Sequence, residues 1–180
     1  RAMDSLKSPR TVAEQIAKLY SSQVPNVERD EMVRDLYDIA GIWSDPLTEA
    51  RGLESIVANY RSLAAIASSS NLQVLDACSS KASDAQIMLR FEGYAVYKVR
   101  MTPFTVTVKQ WSVVTLSAAT RKILSHVDHW SLESLLSGIP LLGWAYLRLW
   151  RPTVGRIVEL VFSPKALLAS SPRHATIKDH

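Results

Sequence analysis

The chain has 180 residues, 47% of them apolar and 21% charged. That composition suits one globular domain with a sizeable core and excludes a disordered or repetitive chain. Lys and Arg total 21 against 17 Asp and Glu, a net charge of +4; the basic residues are scattered apart from Arg148, Arg151 and Arg156, which speaks against a nucleic-acid binder, and the lone Cys78 excludes an intramolecular disulfide and a cysteine-rich metal site.

Val12, Ile16, Leu19 and Tyr20 recur at helical spacing, so Thr11 to Tyr20 is predicted as a first helix, with Pro9 and Thr11 as start signals. A second is predicted from Glu28 to Ile39, with Met32, Val33, Leu36, Tyr37 and Ala40 inside. Its Asp30 and Arg34 are spaced to pair, and its Glu28-Arg29-Asp30-Glu31 run reads as a solvated first turn. Gly41 to Pro46 reads as a short strand entering a turn. Gly52 to Ala67 is a third helix, with Leu53, Ile56, Val57, Tyr60, Leu63 and Ala64 on one side, ended by Ser68-Ser69-Ser70-Asn71.

From Leu72 the period becomes twofold. Strands are predicted over Leu72 to Cys78, Ala85 to Val99, Thr105 to Leu116 and Arg121 to Trp130. Long strands with short connections argue for antiparallel pairing, and segregated helices and strands predict an α+β fold. The predicted organisation is a domain over residues 10–132, an apolar helical extension over 133–163 packing on it, and a flexible tail over 164–180.

Two stretches carry a family resemblance. One is Trp43-Ser44-Asp45-Pro46 with Arg51-Gly52-Leu53-Glu54-Ser55-Ile56 and Tyr60; the other is Arg121-Lys122-Ile123-Leu124-Ser125-His126-Val127-Asp128-His129-Trp130. The first resembles ketosteroid isomerases and the second the sheet-ending run of SnoaL-like proteins. With the order of elements, Thr11 to Trp130 resembles the nuclear transport factor 2-like superfamily. The resemblance implies three N-terminal helices packed on a strongly curved antiparallel sheet, a cone with an internal pocket, and dimers as a common assembly. Leu135 to Phe162 resembles the extension of SnoaL-like proteins from fungi and plants.

Alternate strand residues share a face. Leu124, His126, Asp128 and Trp130 are therefore predicted to face one way, and Ile123, Ser125, Val127 and His129 the other. With the first set inward, a carboxylate and an imidazole meet in an apolar pocket, where burial raises the carboxyl toward a useful acid–base range. A purely structural His126–Asp128 pair is the competing reading. Asp45 matches the general base of ketosteroid isomerases, and Tyr20 lies where their helix Tyr would. The second acid of that site has no counterpart in Trp111-Ser112-Val113-Val114-Thr115, which argues against steroid-type isomerisation. Asp45 also reads as a turn cap. Tyr20, Tyr37, Trp43, Tyr60, Trp111 and Trp130 are the expected pocket residues.

No metal set, phosphate loop or serine elbow is recognisable, so no cofactor is expected. Ser134 to Leu147 carries no charge over 14 residues, short of the ~20 a spanning helix needs. It reads as a lid over the cone, as core or dimer packing, or as a peripheral membrane contact through 135–162. Arg1-Ala2-Met3-Asp4 lacks a leader pattern. The expected location is intracellular, in the cytoplasm or in an organelle whose targeting peptide lies outside this sequence. Two functions stand. One is a cofactor-free isomerase, cyclase or dehydratase using His126 and Asp128 on a small hydrophobic molecule, with Asp45 as a further catalytic candidate. The other is a non-catalytic carrier of a lipid-like ligand or a partner-binding domain.

Overall fold

A computed structural model describes residues 8–137, 139 and 141–162. The tail predicted to be flexible, 164–180, lies outside the described residues. Helix α1 spans Pro9–Lys18. Ser8 caps it, its hydroxyl accepting from the Thr11 amide at 3.2 Å, and Pro9 occupies the first turn, where a missing N–H costs nothing. Helix α2, Asn26–Leu36, ends three residues before the predicted Ile39. Tyr37 leaves it in an extended conformation and opens strand β1, Tyr37–Ser44, which pairs with the sheet from its first residue.

The Glu28-Arg29-Asp30-Glu31 run is not a solvated turn. Arg29 and Asp30 are buried. Arg29 donates to the carbonyls of Ser21 and Val24 and to Asn26, so it ties the loop between α1 and α2 to the helix start. Asp30 pairs with Arg61 instead of Arg34, and Arg34 reaches Glu54 at 2.9 Å. Tertiary partners thus replace the pair expected within one helix.

Strand β2, Glu49–Arg51, was not anticipated; it pairs antiparallel with β1 through a turn capped by Asp45. Gly52 follows at φ +81°, a conformation glycine adopts without strain, and opens helix α3, Leu53–Ile66. The serines after α3 continue as sheet: β3 spans Ala67–Lys81, β4 Gln86–Val99, β5 Thr105–Ser117 and β6 Ile123–Trp130.

The six strands form one curved sheet in the order β2-β1-β6-β5-β4-β3. All neighbours are antiparallel except β1 and β6, which run parallel, so the sheet is mixed. Register shifts interrupt β3 between Ala67 and Ser69 and between Val74 and Asp76; such irregularities bend and twist a strand. The three helices cover the inner face, and the core joins Ile16, Val33, Ile56, Leu89, Val114 and Ile123 from both layers.

Beyond the sheet come α4, Leu132–Ser137, α5, Leu142–Ala145, a π-helical stretch, Tyr146–Trp150, and α6, Arg151–Phe162. Helix α4 packs on β5. A lid closed over the cone would bury one side of the later helices, yet every residue from 147 to 158 is exposed.

Candidate functional site

β6 contributes the centre. His126 and Asp128 point inward and are 0% and 2% exposed. Trp130, on the same face nearer the strand end, is half-buried. The predicted alternation fails at the strand start. Ile123 is buried and Leu124 is not, because β6 carries an extra residue where Thr115 and Leu116 pair with Ser125 and Ile123. The bulge flips the facing of one end and leaves His126 and Asp128 inward.

Neighbouring elements close around this pair. Parallel pairing sets Trp43 of β1 beside His126, and antiparallel pairing sets Ser112 of β5 beside Asp128. Tyr20 follows α1, Tyr37 begins β1 and Tyr60 lies within α3; all three are buried. Asp128 Oδ1 accepts from Ser112 Oγ at 2.5 Å, Gln110 Nε2 at 2.9 Å and His126 Nε2 at 3.0 Å, and Oδ2 accepts from the Tyr20 hydroxyl. The far imidazole nitrogen, Nδ1, lies 2.5 Å from the Tyr37 hydroxyl. Tyr37 lies 2.9 Å from Tyr60, and Tyr60 lies 3.5 Å from Tyr20.

These contacts form a closed ring: Asp128, His126, Tyr37, Tyr60, Tyr20 and back to Asp128. Each hydroxyl has one proton, which fixes its order. With His126 neutral and its Nε2 proton on Asp128, Tyr37 donates to Nδ1. Tyr60 then donates to Tyr37 across 2.9 Å, and the longer Tyr60–Tyr20 contact is left without a proton. With His126 protonated, Nδ1 donates to Tyr37, Tyr37 to Tyr60 and Tyr60 to Tyr20, so every link holds a proton. Proton uptake at the imidazole therefore reverses two hydroxyls in step.

Burial alone pushes the Asp128 carboxyl up. The opposing effects win: the His126 charge and its hydrogen bond, then the Ser112 and Tyr20 hydroxyls, hold it below the usual carboxylate range. This reverses the expectation of a raised carboxyl, because the cone is polar where Asp128 sits. Burial, with help from the Asp128 charge, pushes the Tyr20, Tyr37 and Tyr60 phenols up, so all three stay protonated donors. Tyr97 of β4 is half-buried, and its phenol is raised by burial and then by Asp128 and Asp45.

The remaining expectations divide. Tyr20, Tyr37, Trp43 and Tyr60 meet at the site, and the Trp43 indole N–H points to the Tyr20 hydroxyl at 3.4 Å. Trp111 does not: it is 57% exposed on the outer face and packs on His129 at 5.1 Å, because β5 turns Gln110, Ser112 and Val114 inward. Asp45 lies outside the ring. Its Oδ1 accepts from the Leu47 and Thr48 amides, both at 2.7 Å, the turn-capping role. Gln110 and Ser112 were missed. Local pattern carried no signal for them, since which face of β5 turns inward is set by its pairing with β6.

No protein-family model and no curated protein matches the chain. Solved structures do. A candidate isomerase of the SnoaL-like family from Agrobacterium tumefaciens is 16% identical, with a TM-score of 0.54 over 68% of this chain and 96% of its own. A candidate scytalone dehydratase from Novosphingobium aromaticivorans is 11% identical, with a TM-score of 0.56 over 68% and 83%. A type 2 hexachlorocyclohexane dehydrochlorinase is 6% identical, with a TM-score of 0.56 over 67% and 80%. The chain shares the fold of these proteins, helices packed on a curved, mixed six-stranded sheet in an α+β architecture, with a buried Asp–His–Tyr ring at its centre.

Proposed function

We propose that this ring is a cofactor-free proton-transfer site acting on a small hydrophobic carbonyl compound, as an isomerase, cyclase or dehydratase. The observation that carries the reading is the union of an ionised carboxylate, an imidazole and three protonated phenols in one buried circuit. In this reading a substrate carbonyl displaces part of the ring and accepts a hydrogen bond from Tyr60 or Tyr20. In its neutral form His126 takes the α-proton at Nδ1, and Asp128 stabilises the imidazolium that forms, through the same attraction that holds the carboxyl low. Return of that proton to another carbon completes an isomerisation; loss of a β-hydroxyl with that proton completes a dehydration. The structural neighbours include proteins named for isomerisation, dehydration and dehydrochlorination. These reactions begin by removing a proton from carbon or end by expelling a leaving group.

His126 has no exposed surface, so substrate entry needs the helical layer or the rim to open. In this reading the approach runs past Tyr97, which is half-buried and whose phenol is raised by burial and then by the Asp128 and Asp45 charges. Asp45 belongs to this proposal only as a charge at that approach, since its carboxylate is engaged in the turn.

A non-catalytic carrier is the second reading. It is favoured by the fact that Asp128 already holds four donors, an arrangement that also suits a rigid anchor. Native mass spectrometry of protein from its source tests ligand binding: a retained small molecule is expected, and none at high protein concentration contradicts both readings. Asp128→Asn separates them. An enzyme loses turnover of the retained compound by at least ~100-fold, whereas a carrier keeps its ligand and shows no turnover in either form.

A further inference from the structure

The extension presents an apolar surface that the cone does not cover. Helix α5, the π-helical stretch and α6 continue without a break from 142 to 162. Their base is fixed: α4 packs on β5, and Arg151 is paired with Glu133 of α4 at 2.6 Å. Beyond that base, Trp144, Leu149, Trp150, Ile157 and Val158 are each half or more exposed. Such a run of large apolar side chains marks an interaction surface. An apolar groove of about 410 Å³ opens beside it, lined by Leu136, Leu142, Tyr146, Leu149 and Trp150 among others.

The charges choose the occupant. In α6, Val154, Ile157 and Val158 follow i, i+3, i+4 spacing on one face, and Arg156 falls on the opposite side of the helix. Arg148, Arg151 and Arg156 are exposed, and residues 142–162 hold one acidic residue, Glu159, against these three. A surface of anionic lipid accepts both features: tryptophans at the headgroup level, apolar side chains just below, arginines on the phosphates. Among the described residues no helix is long and apolar enough to cross a membrane.

We propose that residues 141–162 dock the protein on an anionic membrane surface, with Trp144, Trp150 and Ile157 entering the interface and Arg148 and Arg156 binding lipid phosphates. The test is flotation of the full chain with vesicles of phosphatidylcholine alone and of phosphatidylcholine mixed with phosphatidylserine. Strong binding to the mixed vesicles, weakened by salt, is expected. Arg148→Gln with Arg156→Gln lowers that binding by roughly thirty-fold, the product of two interfacial basic contacts. Trp144→Ala with Trp150→Ala weakens binding at high salt as well. All four side chains are exposed, so the variants keep the wild-type circular dichroism. Failure of the folded wild type to float with the mixed vesicles overturns the proposal. So does a stable dimer that the tryptophan variants dissociate, which assigns the surface to a second copy.

Discussion

Asp128 is where sequence and environment pull hardest against each other. Its folded carboxyl titrates below the ordinary value, whereas the unfolded one titrates near ~3.9. The ionised form is therefore favoured by folding. Its contribution to stability is fully present above the unfolded value and is lost as pH falls through the folded one. Tyr20→Phe removes the donor on Oδ2 and raises the folded value. The acid limb of the unfolding curve then moves to higher pH, read by circular dichroism against pH; an unchanged limb contradicts the role given to Tyr20. Asp128→Asn removes the charge while leaving four buried donors around the position. It lowers stability at neutral pH by about 3 kcal/mol in urea unfolding, the cost of breaking a buried charged network, and it flattens the acid limb; an unchanged midpoint contradicts the network. At this scale the sequence was partly legible. Strand parity alone puts His126 and Asp128 on one face. Their partners Ser112 and Gln110 come from another strand, and pairing across strands depends on a register that local pattern does not specify. Trp111 went wrong for the same reason, since aromatic character says nothing about which face of β5 is inside.

Among the elements, the helical faces and the long strands follow from periods of 3.6 and 2. What pattern could not reveal is produced by contacts distant in sequence. The parallel pairing of β1 with β6 joins segments more than 80 residues apart. The early end of α2 is set by that pairing, and the bulge in β6 is visible only against β5. Asp30 and Arg34 look like partners along one helix, yet each finds its partner on α3. β3 and β4 also meet more closely than their sequences suggest. A Cβ on Gly93 would lie 2.3 Å from the Gln73 carbonyl oxygen, a backbone atom that moves only with its strand. Gly93→Ala is therefore expected to cost about 3 kcal/mol through overpacking, measured by urea unfolding. A cost near zero would mean that β3 separates from β4 more easily than the register shift at Val74 and Asp76 implies.

At the scale of the molecule, the sheet and helices gather Tyr20, Tyr37, Tyr60, His126 and Asp128 into one buried ring, and the extension beyond α4 presents an exposed apolar surface. The fold itself was legible because the order of elements and two short motifs agree. The chemistry was not, because this fold hosts many functions and only side-chain geometry distinguishes them. The central claim is that the ring moves protons to and from carbon. It is tested most directly by following deuterium entering the α-carbon of a hydrophobic ketone such as 2-tetralone in heavy water, by NMR. The wild type is expected to speed this exchange over buffer, and folded Asp128→Asn and His126→Gln are expected to lose at least ~100-fold of the acceleration. Equal exchange rates for wild type, both variants and buffer would contradict it.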